Sequence, residues 1–110
     1  MIIQINYKNI HPTATVEGFL ETKARKLSRF TRSFPDDAVQ LRANVEHQTH
    51  KDIFIATLVL SFPQKTLTAK EKGPDLMPAL HAAVEDILKQ LEKFKSRLNR
   101  AHLRRQARTP

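Results

Sequence analysis

The residues with the clearest chemical potential are cations that recur at helical spacing near the C-terminus. Five of them lie three or four residues apart and therefore share one stripe of a helix: Lys89, Lys93, Arg97, Arg100 and Arg104. From residue 89 onward the chain has eight Lys or Arg residues and a single acid, Glu92, while the whole chain carries a net charge of +8. Because a helix dipole needs only a few cations in its last turn, this stripe has the chemistry of a surface for the phosphates of a polyanion.

A second set of cations lies in an earlier helical segment. Lys23, Lys26 and Arg29 recur at helical spacing there, beside an apolar face formed by residues such as Val16 and Leu20. If the two helices lie side by side, we expect these cations to border three residues of the C-terminal stripe: Lys89, Lys93 and Arg97. Such a surface favours nucleic-acid binding over an ordinary solvated helix face, because few acids are interspersed after residue 89.

The composition also indicates how a nucleic acid would be recognised. Aromatic residues make up only 6% of the chain, and the cations mix Lys with Arg. This favours recognition of backbone and shape over base stacking. The basic, amphipathic segment 87–105 is also compatible with a membrane surface, but its apolar stripe is needed to cover a sheet, which makes this the weaker interpretation.

The sequence offers little for catalysis or metal binding. His47 and His50, with Asp52 nearby, form a loose cluster on a strand end and a turn, with no third strong ligand at a fixed spacing. The serines lack the flanking glycines of a nucleophile elbow, and two glycines cannot build a phosphate-cradling loop. We predict no catalytic site, no metal, no cofactor and no small-molecule substrate.

Length and composition restrict the class of protein. One hundred and ten residues fit a single domain with its own core. The absence of cysteine excludes disulfides and thiol chemistry and fits a reducing, cytoplasmic location. No signal peptide and no stretch of about 20 apolar residues is present, so we expect no membrane span.

The hydrophobic periodicity predicts the elements that must position these cations. Residues 2–7 alternate as a strand, a helix begins at Thr13 or Thr15 and ends within 33–37, and residues 39–46, 53–62 and 65–72 are three further strands. A long helix follows over 75–105, with one apolar stripe that continues to Leu98. Gly73-Pro74 separates the last strand from this helix.

This order predicts an α+β fold, β-α-β-β-β-α. The last three strands should form an antiparallel meander with the fourth strand at an edge, and the helical crossover should place the first strand parallel to its neighbour. Because each helix has one apolar stripe, we expect a four-stranded mixed sheet with two roughly parallel helices on one face. We predict one domain over 1–100 and a basic, flexible tail over 101–110.

Several strings, in this order, resemble the short-form ribosome hibernation proteins, the family of hibernation-promoting factor and ribosome-associated inhibitor (sigma-54 modulation protein / S30EA type). The most specific is QLEKFK at 90–95, which is similar to a segment late in the second helix of that family. Three shorter strings are similar to segments in the corresponding helices and fourth strand of the family: DLM at 75–77, KARKL at 23–27 and LTA at 67–69. The resemblance covers residues 1 to about 98 and depends on the ordered set rather than on any one string.

The resemblance implies a fold akin to double-stranded-RNA-binding domains and docking on the small ribosomal subunit. The protein would occupy the channel used by mRNA and by tRNA at the A and P sites, and would block translation in stressed or stationary cells. Carried over by position, the contacts to ribosomal RNA are Lys23, Lys26, Arg29, Lys89, Lys93 and Lys95, and periodicity alone extends them to Arg97 and Arg100.

Three positions depart from the family pattern. Met77 stands where Tyr is usual, His81 where Asp or Asn is common, and Asp86 where a basic residue is frequent. Asp86 therefore puts one RNA contact in doubt. The chain also stops before the extra domain of long-form members, so we expect that it does not pair ribosomes by itself. We also expect a monomer off the ribosome.

Two other functions remain open from the sequence. A generic double-stranded-RNA binder would carry its lysine cluster at the start of the last helix, where this chain has Asp75, Leu76, Met77 and Pro78. A non-catalytic protein-interaction module of the sigma-factor modulator type is the alternative from a different class. The sequence leaves open whether the protein promotes or prevents ribosome pairing.

Overall fold

The computed structural model describes the backbone of residues 1–107 and the side chains of residues 1–97. Four strands form one sheet in the order β1-β2-β3-β4: β1 is Ile2–Lys8, β2 is Gln40–Gln48, β3 is Ile53–Phe62 and β4 is Lys65–Gly73. β1 pairs with β2 in parallel, and the other neighbours pair antiparallel. Two helices complete the predicted β-α-β-β-β-α order: α1 is Ala14–Ser28 and α2 is Leu76–Ala107. The predicted fold class, mixed sheet and edge position of β4 are thus confirmed.

α1 begins where the sequence predicts and ends earlier. The Thr13 hydroxyl accepts a hydrogen bond from the Val16 amide at 3.3 Å, which caps the first turn. The helix ends at Ser28, so the predicted end within 33–37 is wrong. Backbone bonds from Phe30 to the Leu27 carbonyl and from Thr31 to the Ser28 carbonyl span only three residues, and these tighter turns close the helix.

The core lies between one face of the sheet and both helices. Register aligns buried side chains across the central strands, Leu41 with Leu60 and Ala43 with Leu58, and Leu60 continues to Leu67 on β4. Val16 and Leu20 on α1 cover the same face. The buried residues of α2 complete the cover: Ala79, Leu80, Ala83, Val84, Ile87, Leu88 and Leu91.

α2 changes its surroundings along its length. Among the described side chains of α2, Leu91 is the last that is fully buried, and Phe94 is half-buried against the sheet. The backbone remains helical to Ala107, slightly past the predicted end, while Leu98 and the residues after it lie outside the described side chains. The first part of α2 is therefore a cover for the sheet, and the predicted tail over 101–110 stays a prediction. Within the described residues, neither helix contains a segment that is both long and apolar enough to cross a lipid bilayer.

Candidate nucleic-acid interface

Two contacts show that α1 and α2 run side by side in the same direction. Near their starts, the rings of Phe19 and His81 have centroids 6.1 Å apart. Further along, the Lys95 ammonium lies 5.6 Å from the centroid of Phe30, just beyond the end of α1. The later parts of both helices therefore lie at the same end of the helix layer, which is where the predicted cations occur.

Seven of the eight predicted contact residues have described side chains, and together they form what we call the cationic end: Lys23, Lys26, Arg29, Lys89, Lys93, Lys95 and Arg97. All are exposed except Lys23, which is half-buried because its ammonium lies 5.6 Å from the centroid of Phe19. This cation–π contact holds the Lys23 charge at the surface of the helix layer. Arg100, the eighth predicted contact residue, lies outside the described side chains.

The cations of α2 that lie next to α1 differ from those that the sequence predicts. Lys95 reaches towards α1 through its contact with Phe30. Lys93 and Arg97 instead face the edge strand β4, where they line a cavity together with Lys65. The expectation that Lys93 and Arg97 border the first helix is therefore wrong, because the rotation of α2 about its axis turns them the other way.

The cationic end includes one acid among its cations, the exposed Glu92 of α2. Among the described side chains, no ion pair involves any of its members. The carboxylates of the helix layer lie mostly towards the helix starts: Glu17, Glu21, Asp75, Glu85 and Asp86. Glu85 Oε1 lies 4.0 Å from Nε2 of His81, one turn earlier on α2. Helix dipoles favour acids near the helix starts and cations near the helix ends. This placement leaves one end of the helix layer positively charged.

Asp86 lies between the acids near the start of α2 and the cationic end. It is half-buried, and no ion pair engages it among the described residues. Lys89 and Gln90 follow it within one turn of helix, so its carboxylate stands at the border of the cationic end. A negative charge at this border repels phosphate. This repulsion is the physical reason why we expect no RNA contact at Asp86.

Two residues near the cationic end were missed by sequence reasoning. Lys65 starts β4 directly after the turn from β3, and it joins Lys93 and Arg97 around one cavity. Gln90 donates from Nε2 to the backbone carbonyl of Thr68 at 2.9 Å and so ties α2 to the edge strand. The sequence signal for Lys65 was only a charge on an edge strand, which is ordinary protection against strand pairing.

His47, from the loose histidine cluster, makes local contacts with Asp52 and Phe54 at the end of β2. His47 Nε2 lies 2.9 Å from Asp52 Oδ1, and its ring stacks on Phe54 with centroids 4.4 Å apart. Asp52 has a positive φ of 50°, as the turn between β2 and β3 requires. In the part of the chain that the structure describes, no three His, Asp or Glu side chains converge on a point that would hold a metal ion.

The single tyrosine lies on the helix-facing side of β1, near the start of α1. Burial, together with the negative charge of Glu17, raises the pKa of the Tyr7 hydroxyl above its ordinary value, while the Thr13 backbone opposes the shift. Tyr7 is half-buried and packs against the hydrophobic core.

A sequence model of the family described as Sigma 54 modulation protein / S30EA ribosomal protein matches residues 3–99. Two solved structures are similar in fold. A ribosomal subunit interface protein from Coxiella burnetii is 18% identical with a TM-score of 0.67, and the match covers 87% of this chain and 99% of that one. The N-terminal domain of Protein Y from Thermus thermophilus is 21% identical, also with a TM-score of 0.67, over 86% of this chain and 99% of that one.

Proposed function

Because the chain belongs to the Sigma 54 modulation protein / S30EA ribosomal protein family, we propose that it docks on the small ribosomal subunit through its cationic end. Proteins of this family are non-catalytic factors associated with the ribosome, so the prediction that the chain is not an enzyme is confirmed. The finer proposal, that ribosomal RNA of the small subunit is the contact, depends on one observation. Among the described residues, the cations of the cationic end take part in no ion pair and lie late in α1, just after it, or late in α2.

The proposed mechanism is steric occlusion. The protein occupies the channel that mRNA and the A- and P-site tRNAs use, and no bond is made or broken. Attachment is electrostatic: Lys23, Lys26, Arg29, Lys89, Lys93, Lys95, Arg97 and Arg100 face phosphates of the RNA. The buried apolar faces of α1 and α2 hold both helices on the sheet, so little backbone order has to be gained on binding.

The same proposal specifies where, in which oligomeric state and under which growth conditions the protein acts. The protein acts in the cytoplasm, as a monomer when it is off the ribosome, and it silences translation in stressed or stationary-phase cells. A sucrose-gradient profile of growing and starved cells, probed for this protein, tests the setting. We expect it in the fractions of small subunits and whole ribosomes after starvation, and its presence only at the top of both gradients would contradict the proposal.

Charge reversal tests the surface. Lys89→Glu/Lys93→Glu should abolish co-sedimentation with purified small subunits, because two attractive contacts become repulsive while both side chains are exposed. Lys51→Glu/Lys70→Glu is the matched control: it changes the net charge equally, at an exposed turn and on the sheet. We expect the control to co-sediment like the wild type. Equal behaviour of the two variants would assign the contact elsewhere or to net charge alone.

The description of the family also supports a second candidate, modulation of a sigma factor. This function would use the protein as a non-catalytic interaction module. A pull-down from stationary-phase lysate distinguishes the two, since recovery of RNA polymerase without ribosomes would favour sigma-factor modulation. A generic double-stranded-RNA binder is disfavoured because α2 begins with Leu76, Met77 and Pro78, and its cations come late.

A further inference from the structure

A cavity of about 170 Å³ lies between the edge strand β4 and the later half of α2. Six side chains line it: Lys65, Leu67, Gln90, Lys93, Phe94 and Arg97. Two are apolar, one is an amide and three are cations. The lining therefore combines an apolar wall of two side chains with an amide and a strongly positive rim.

The apolar wall includes an aromatic ring with free surface. Phe94 is half-buried, and its ring meets Phe62 in an edge-to-face contact with centroids 5.4 Å apart. Such a contact occupies at most one face of the Phe94 ring. Phe94 also lines the cavity and is only half-buried, so part of its ring is accessible from the cavity.

The amide in the cavity is held in a known orientation. Gln90 Nε2 donates to the Thr68 carbonyl at 2.9 Å, and a carbonyl can only accept. The orientation of the amide is thus determined, and Gln90 Oε1 is left as an acceptor. An exocyclic amino group of a nucleobase such as adenine or cytosine is a donor that suits this oxygen.

The rim of the cavity complements phosphate. Lys65, Lys93 and Arg97 are exposed, and within residues 1–97 none of them takes part in an ion pair. An unstacked nucleotide presents a flat base and carries a phosphate on either side. A stacking wall, an acceptor and three cations around one cavity match that set of groups.

We propose that this cavity receives one unstacked nucleotide of the RNA that the cationic end binds. The base lies against Phe94 and Leu67, its amino group donates to Gln90 Oε1, and the flanking phosphates contact the three cations. The inference rests on the proposed function in that RNA is the partner, and it adds a base contact to a surface that the sequence indicated for backbone recognition only. It gives Lys65, Gln90 and Phe94 a role in recognition.

The test compares two RNA hairpins with the same stem, one of which carries a single unpaired adenosine as a bulge. Binding is measured by fluorescence anisotropy. We expect wild-type protein to prefer the bulged hairpin by about fivefold or more, which is the low end for stacking one base on an aromatic ring. Phe94→Leu should remove the preference while retaining affinity for the plain stem.

Phe34→Leu is the matched control. Phe34 also contacts Phe62 with centroids 5.4 Å apart, but it does not line the cavity, so the preference should persist. Lys65→Glu changes an exposed side chain outside the core. It should weaken binding to the bulged hairpin more than binding to the plain stem. The inference is overturned by equal wild-type binding to both hairpins, by no binding to either, or by equal losses in Phe94→Leu and Phe34→Leu.

Co-sedimentation with small subunits separates the two proposals. Wild-type protein that co-sediments but does not prefer the bulge keeps the proposed function and overturns the nucleotide cavity. Protein that prefers the bulge but does not co-sediment supports the cavity and overturns docking on the small subunit. Equal weakening of both hairpins by Lys65→Glu would reduce that residue to a general phosphate contact and overturn the cavity.

Discussion

The salt dependence of binding to small subunits tests the cationic end quantitatively. Seven described cations form it, and each neutralised phosphate contributes about 0.9 to the slope of log K against log salt. If each cation contacts one phosphate, the slope is about −6. Between about 50 and 200 mM salt, the affinity should then fall by roughly 10³- to 10⁴-fold.

The perturbation is Lys89→Ala/Lys93→Ala. Both side chains are exposed and alanine is a strong helix former, so the fold and its stability should change little. Removing two phosphate contacts should make the slope shallower by about 1.8. The assay is fluorescence anisotropy of labelled protein titrated with purified small subunits across a series of salt concentrations, with circular dichroism to verify the fold.

The matched control is Lys51→Ala/Lys70→Ala, which removes the same charge from exposed positions outside the helix layer. Its slope should equal that of the wild type. An unchanged slope for the helix variant, or an equal change for both variants, would refute the argument that the helix cations contact phosphates.

Three further predictions concern the fold that holds the cationic end. Leu80→Ala should lower the free energy of unfolding by about 2–5 kcal/mol, because Leu80 is fully buried between α2 and the sheet; urea denaturation measures this. Thr13→Ala should cost about 1 kcal/mol through loss of the α1 cap, whereas Thr15→Ala, at an exposed position inside the helix, should cost less in the same measurement. Tyr7 is the only tyrosine, so the ultraviolet absorbance of tyrosinate reports it alone; its raised pKa places the folded-state transition above that of the unfolded chain. A group with a raised folded pKa stabilises below its unfolded pKa and loses that contribution as the pH rises, so Tyr7→Phe should reduce the loss of stability above about pH 10.

The sequence predicted the elements closely wherever the hydrophobic period was unambiguous. β2 alternates apolar and polar residues, and Leu41, Ala43 and Val45 are buried as the pattern indicates. The end of α1 was misjudged because Phe30 continues the apolar period after the backbone has left the helix. Side-chain periodicity records which residues are buried and does not record the switch to tighter turns.

Which face of β3 meets the helices could not be predicted from the sequence alone. Its residues are apolar on both faces, so the period of two does not reveal which face meets the helices. The register with β2 decides this, since Leu58 and Leu60 lie opposite Ala43 and Leu41 on the covered face. Pairing energy and packing across strands therefore orient a strand whose own sequence is ambiguous.

The amino-acid sequence by itself determined that the chain forms two amphipathic helices with cations late in each, because helical spacing and charge are properties of the local chain. Which cations share a surface was decided only by the tertiary structure. Packing of the apolar stripe of α2 on the sheet sets the rotation of the helix, and this turns Lys95 towards α1 but Lys93 and Arg97 towards β4. Lys65 joins them because the β3–β4 pairing brings a distant part of the chain to the same edge. Rotation and strand register arise from contacts between elements, and no local pattern in the sequence encodes them alone.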